Sequence, residues 1–138
     1  MEKGLINNMP NKTLSIFLIG GEDIHLRIPI IEMLHNSNYK IIAVGSKAQK
    51  SFKNSNIKYI QYRLNRGYNF LKDISTIFEL YKIIKNEKPD IVHTFDTKPN
   101  ILASVAAWLA QTPKRIKTIN GMGRVFSVDS KKNYFLRK

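Results

Sequence analysis

The chain has no cysteine, so a disulfide framework, a thiolate metal site and a thiol nucleophile are all excluded. Acidic residues are scarce: 10 Asp and Glu stand against 23 Lys and Arg, a formal charge of +13. An excess of that size attracts anionic partners, and acidic lipid, phosphorylated substrates and nucleic acid all qualify, although a genome-wide bias toward Lys, Asn and Ile gives the same composition. Long apolar runs are missing as well. The opening "MEKGLINNMPNK" is polar and the run Leu14–Ile19 is too short for a signal peptide or membrane span, which makes a cytoplasmic chain the expectation. His25, His35 and His93 stand on separate segments without carboxylate or cysteine companions at ligand spacing, so no metal site is expected. There is no G-x-S-x-G elbow, no Walker loop and no aromatic-basic RNA platform, which argues against a hydrolase, a nucleotide hydrolase and a nucleic-acid module.

What is present fits one α/β domain. The length of 138 residues suffices to bury roughly 70% of the unfolded surface. Five short apolar or β-branched runs alternate with helical patterns: Leu14–Ile19, Lys40–Val44, Ile57–Ile60, Ile91–His93 and Arg115–Ile119. Right-handed crossovers then predict a single doubly wound, Rossmann-like parallel sheet flanked by helices, with strand order 3-2-1-4-5. The first helix is expected to start near Leu26, with Pro29 in its first turn. A second should run over 70–86, with Asn69 as its cap and Phe70, Ile74, Ile77, Phe78, Tyr81 and Ile84 as its buried stripe. A third should run from about Pro99 to Ala110, where alanines allow close approach to the sheet and Trp108 is a packing residue. Residues 1–12 read as a tail and 13–124 as the domain.

Ligands of open parallel sheets bind beyond the carboxyl ends of the strands, where the strand order reverses. Three loops meet there in the expected topology: "GGED" at 20–23, "TFDTKPN" at 94–100 and "NGMGR" at 120–124. Gly20 and Gly21 permit a sharp turn and close backbone approach, but "GGEDIHL" is not the dinucleotide fingerprint, and Glu22 and Asp23 repel a pyrophosphate on that turn. No cofactor is expected. Asp96 is a candidate base, Lys98 a cation for phosphate, and Thr94, Thr97 and Asn100 are partners for sugar or head-group oxygens. The competing reading is that Asp96 or Thr97 caps the third helix and Lys98 is solvated. Asn120, Gly121 and Gly123 are either ligand contacts or ordinary turn residues.

The stretch "NFLKDISTIFELYKIIKNEKPDIVHTFDTKPNILASVAAWLAQTPKRIKTINGMGRVFS" at 69–127 resembles the amino-terminal domain of family 4 glycosyltransferases of the GT-B fold, in particular bacterial members acting on undecaprenyl-diphosphate-linked sugars. Lys88, Pro89, Asp90, Lys98, Pro99, Asn100, Gly121, Met122, Gly123 and Phe126 carry the resemblance, and "RIPIIEML" at 27–34 is similar to the family's first helix. Phe95 replaces the second residue of a His-x-His pattern, leaving His93, and Arg124 stands where an aromatic or small residue is common.

The resemblance implies the acceptor-side half of an enzyme that moves a sugar from a nucleotide-sugar to a polyprenyl-diphosphate-linked saccharide. Asp96 and His93 then position or deprotonate the acceptor hydroxyl, while Lys98, Asn100 and the 121–123 turn face phosphates. It also implies that residues 125–138 are a truncated linker, that the donor is bound only with a further domain or a partner chain, and that the isolated chain lacks activity. A basic surface suits an acceptor in an anionic bilayer, with candidate patches at Lys47, Lys50, Lys53 and Lys58, at Arg63 and Arg66, and at Lys131, Lys132, Arg137 and Lys138. Two further readings remain: a non-catalytic membrane or acceptor subunit of a split transferase, and a free-standing Rossmann-like domain binding a phosphorylated metabolite. No nucleic-acid partner is expected.

Overall fold

In a computed structural model, which describes residues 13–48, 52 and 57–119, five strands form one parallel sheet in the order β3-β2-β1-β4-β5. These are β1 (Ser15–Ile19), β2 (Lys40–Gly45), β3 (Lys58–Gln61), β4 (Ile91–Phe95) and β5 (Lys114–Thr118). The expected topology is therefore found, with boundaries shifted by one or two residues. The helices are α1 (Ile28–Asn36), α2 (Phe70–Glu87) and α3 (Thr97–Leu109).

β1 is buried along its whole length, as a central strand covered on both faces must be. Its alternate residues feed two cores. Phe17 and Ile19 join Ile42, Val44 and Val92 beneath α2 and α3, which contribute Leu80, Ile84, Ala103, Ala106 and Ala107. Ile16 and Leu18 join Ile41, Ala43 and Phe95 on the other face, against Ile24 and Ile31. At the amino edge, Asp90 of the "KPDIV" segment ties β4 to β1, its carboxylate accepting from the Ser15 N–H at 2.9 Å.

Three helix expectations need correction. A 3-10 turn occupies Ile24–Arg27 and α1 begins at Ile28, two residues later than expected, while Pro29 lies in its first turn as expected. On α2 the buried residues are Thr76, Leu80 and Ile84, with Ile77, Tyr81 and Ile83 packed beside them. Phe70 and Phe78 are instead exposed, and Ile74 is at the margin. The cause is Thr76: its hydroxyl donates to the Arg63 and Lys72 carbonyls, so a polar residue sits comfortably inside and the buried face rotates toward it. Trp108 is 64% exposed, not packed. The Asn69 cap is present, accepting from the Lys72 N–H at 3.1 Å, and Lys88 closes α2 in a left-handed conformation before Pro89.

Candidate functional site

Register brings the carboxyl ends of the strands together: Ile19 pairs with both Val44 and Thr94, and Phe95 pairs with Thr118. The loops after β1, β2, β3 and β4 therefore emerge along one edge. Gly20 and Gly21 lie at its centre, and their backbone groups are engaged within the protein. Gly20 N–H donates to Val44 O at 2.9 Å and Gly20 O accepts from the Tyr62 hydroxyl at 2.9 Å. Gly21 N–H donates to the Asp96 carboxylate at 3.0 Å, and Gly21 O accepts from Ser46 N–H at 3.2 Å. The turn is thus a braced strut between β1, β2 and β4.

Asp96 sits at the cap position of α3 but makes no side-chain cap; its carboxylate holds the glycine turn. Its backbone adopts φ 68°, ψ 152°, a region costly for any residue but glycine and typical of over-determined functional positions. Tyr62 is fully buried, and burial, with the nearby Asp96 charge second, raises its phenol well above the ordinary value. It stays a neutral donor. Gly45, which the sequence did not single out, is tightly enclosed: an added Cβ would lie 2.6 Å from both Ile24 Cγ2 and Tyr59 Oη, so both side chains would have to move.

Around this centre the polar residues of 93–100 divide into two groups. Thr94 and Asn100 are buried; the Thr94 hydroxyl donates to Asn100 Oδ1 at 2.6 Å, and Asn100 Nδ2 donates to Thr118 O at 2.9 Å. They brace β4 against β5. His93 lies beside them, its Nε2 2.7 Å from the Thr118 hydroxyl and its ring 4.3 Å from that of Phe95, over which Arg27 stacks at 4.9 Å. Burial, and then the Arg27 charge, hold the His93 imidazole below its ordinary value, so it is neutral near pH 7 and one ring nitrogen is a proton acceptor.

Lys98 points the other way. Its ammonium donates to Asn65 O at 2.6 Å and Gly67 O at 2.7 Å and pairs with Asp73 at 2.7 Å, which fixes the loop between β3 and α2. Thr97 is exposed in the first turn of α3. Asn120, Gly121 and Gly123 lie outside the described residues, as do Lys50, Lys53 and the basic residues of 131–138.

The acid beside the glycines has an unexpected setting. Glu22 accepts Arg66 Nε at 2.6 Å, a second Arg66 nitrogen and the Lys47 ammonium. Those hydrogen bonds, Lys47 first, hold its carboxyl below the ordinary value. The repulsion expected from Glu22 at this turn is therefore offset, and Asp23, whose charge also acts on Arg66, balances the second of the two cations. Arg66 is 44 residues from Glu22 in sequence, a pairing no local pattern reveals. Among the described residues no cluster of His, Asp and Glu suits a metal ion.

A parallel sheet of order 3-2-1-4-5 with polar residues gathered at the β1/β4 switch point defines a Rossmann-like domain. The chain belongs to the Glycosyl transferase 4-like family, whose model matches residues 16–138. It is 43% identical over 58 residues to an Escherichia coli UDP-Gal:alpha-D-GlcNAc-diphosphoundecaprenol alpha-1,3-galactosyltransferase, covering 42% of this chain and 15% of that protein. It is 26% identical over 116 residues to the Staphylococcus aureus capsular polysaccharide biosynthesis glycosyltransferase CapM, covering 83% of this chain and 30% of the relative. The chain thus spans less than a third of the length of either. Acinetobacter baumannii MurG has the same fold over 75% of this chain and 35% of its own, with a TM-score of 0.61 and 13% identity.

Proposed function

We propose that this domain forms the acceptor side of a glycosyltransferase that moves a sugar from a nucleotide-sugar onto a polyprenyl-diphosphate-linked saccharide during surface polysaccharide or glycan synthesis. The observation that carries the reading is the family match over 16–138, and the substrates named for the Escherichia coli relative give it chemical content. The donor is held jointly with a further domain or partner chain. The protein works peripherally at an anionic membrane face; among the described residues no helix is long and apolar enough to cross a membrane.

In this reading the acceptor lies along the strand-end edge. Its diphosphate meets the loops that carry Lys47 and Arg66, the Arg66 guanidinium fork suiting phosphate as well as the Glu22 carboxylate it now holds. Asp96 is a positioning residue, fixing Gly21 and the start of α3. His93, neutral and hydrogen-bonded to Thr118, is the candidate group for accepting the proton of the acceptor hydroxyl. Thr94, Asn100 and Lys98 keep the flanking loops in place.

Calorimetric titration of the chain with a short-chain polyprenyl diphosphate sugar and, separately, with a panel of nucleotide-sugars tests this. Binding of the lipid-linked sugar with little or no response to the nucleotide-sugars is expected. Saturable nucleotide-sugar binding with no response to the lipid-linked sugar would overturn the acceptor-side assignment.

A further inference from the structure

At the amino edge of the sheet, opposite the glycine turn, α2 and α3 both end, and a cavity of about 260 Å³ opens between the two loops that follow them. Each loop leaves its helix through a left-handed residue, Lys88 at φ 47° and Gln111 at φ 57°. Both loops are pinned. Lys88 N–H donates to Ile84 O and Thr112 N–H to Ala107 O, while Asp90 N–H donates to Ser15 O and Asp90 O accepts from Lys114 N–H. The cavity is therefore a preformed part of the fold, as ligand sites commonly are.

Its lining is mixed. Ile84, Pro89, Ala110 and Pro113 supply apolar surface. Thr112 also lines it and is only 4% exposed, yet its hydroxyl has no hydrogen-bond partner among the described residues. The buried Ser15 hydroxyl at this end of β1 is likewise without a partner, and strand alternation puts Ser15 on the side of Phe17, the side covered by α2 and α3. Buried hydroxyls are normally satisfied, so this pair calls for a polar occupant. The surrounding charges set its sign. Lys85 and Lys88 line the cavity and pair with no acid among the described residues. Arg115, in register with Val92 and hence on the same side, donates from its guanidinium to Thr112 O at 3.2 Å. Against these three stand Asp90, whose carboxylate holds the Ser15 N–H, and the carbonyl ends of α2 and α3, about half a negative unit each. Glu87 is taken up by Lys58, and Lys114, in register with Ile91, belongs to the other face. The balance is positive.

We infer that this cavity is a binding site for a small, soluble phosphorylated sugar. The phosphate is met by Lys85, Lys88 and Arg115, the ring hydroxyls by the Thr112 hydroxyl and the Gln111 amide, and the C–H face of the ring by Pro89 and Pro113. Size decides among the anions. An ion the size of phosphate alone leaves most of the space empty, since a water takes up about 30 Å³. A nucleotide is too large for a cavity below the range of about 300 Å³ and upward that drug-sized ligands occupy, and no aromatic ring lines the cavity for a base to stack on. The five residues of β1 put this cavity about 16 Å from the glycine turn, so it is a second site, and it does not rest on the acceptor assignment.

The test titrates the isotope-labelled chain with glucose 1-phosphate, glucose and inorganic phosphate in turn, with no lipid-linked sugar present, so that its failure is separate from failure of the acceptor assignment. Glucose 1-phosphate should shift the amides of Lys88, Asp90, Gln111 and Thr112 saturably, and glucose and inorganic phosphate should each bind about tenfold or more weakly, having lost either the charged or the ring contacts. Thr112→Val, which keeps the shape and removes the hydroxyl, should weaken glucose 1-phosphate about fivefold. The double substitution Lys85→Gln and Arg115→Gln should weaken it about tenfold or more, and circular dichroism should show both variants folded as the parent is. The inference is overturned if inorganic phosphate matches glucose 1-phosphate, which leaves a patch of charge only, or if the folded variants bind as the parent does. It is equally overturned if these amides do not move, or if the shifts fall at Gly20–Glu22 and Asp96–Thr97 instead.

Discussion

Asp96 illustrates how much of this site is held by single side chains. Its carboxylate secures Gly21 from a backbone conformation that disfavours every residue except glycine. Asp96→Ala removes the bond and keeps the strain, and should lower stability by about 1–3 kcal/mol, the cost of an orphaned, partly buried donor with a charged partner lost; Asp96→Asn should restore part of it. Urea denaturation of the two variants checks the order. Gly45→Ala meets Ile24 and Tyr59 at 2.6 Å and should cost about 1–3 kcal/mol by overpacking. For His93 the sign follows from its depressed folded-state value: as pH falls below about 6.5 the unfolded chain takes up the proton first, so stability declines with acidification. His93→Gln should flatten that part of the stability–pH curve between pH 7 and 5, which thermal melts across the range would reveal.

Among the elements, α2 separates what sequence pattern conveys from what it does not. Its existence, its Asn69 cap and its end before Pro89 were legible because capping and proline chemistry are local. Its buried face was not, since Phe70, Ile74 and Phe78 keep helical spacing as faithfully as the true core, and Thr76 reads as polar until its two carbonyl partners are known. Leu80→Ala should therefore cost about 2–5 kcal/mol, while Phe78→Ser should stay within about 0.5 kcal/mol; chemical denaturation distinguishes this face from the one expected. The strand order was legible for a different reason: alternating strands and helices with right-handed crossovers leave few topologies. Gly20, Gly21 and Asp96 were recognisable and do meet, whereas Gly45, Tyr62 and the Glu22–Lys47–Arg66 cluster depend on loops distant in sequence.

At the scale of the whole molecule, the polar residues of the "TFDTKPN" segment serve two ends. They brace β4 against β5 and tie the loops of β1 and β3 to the start of α3, which leaves a stiff edge whose β1–β3 side sets Lys47 and Arg66 against Glu22 and Asp23. In the proposed function this edge receives an anionic head group, and its affinity for one should fall as salt screens Lys47 and Arg66.

The most direct measurement is amide NMR of the isotope-labelled chain titrated with a short-chain polyprenyl diphosphate sugar. The account predicts shifts concentrated at Gly20–Glu22, Ser46–Lys47, Arg66 and Asp96–Thr97, all on the carboxyl edge of the sheet. Shifts gathered instead at the opposite edge, around Asn38, Asp90 and Thr112, or no shifts at saturating ligand, would contradict it.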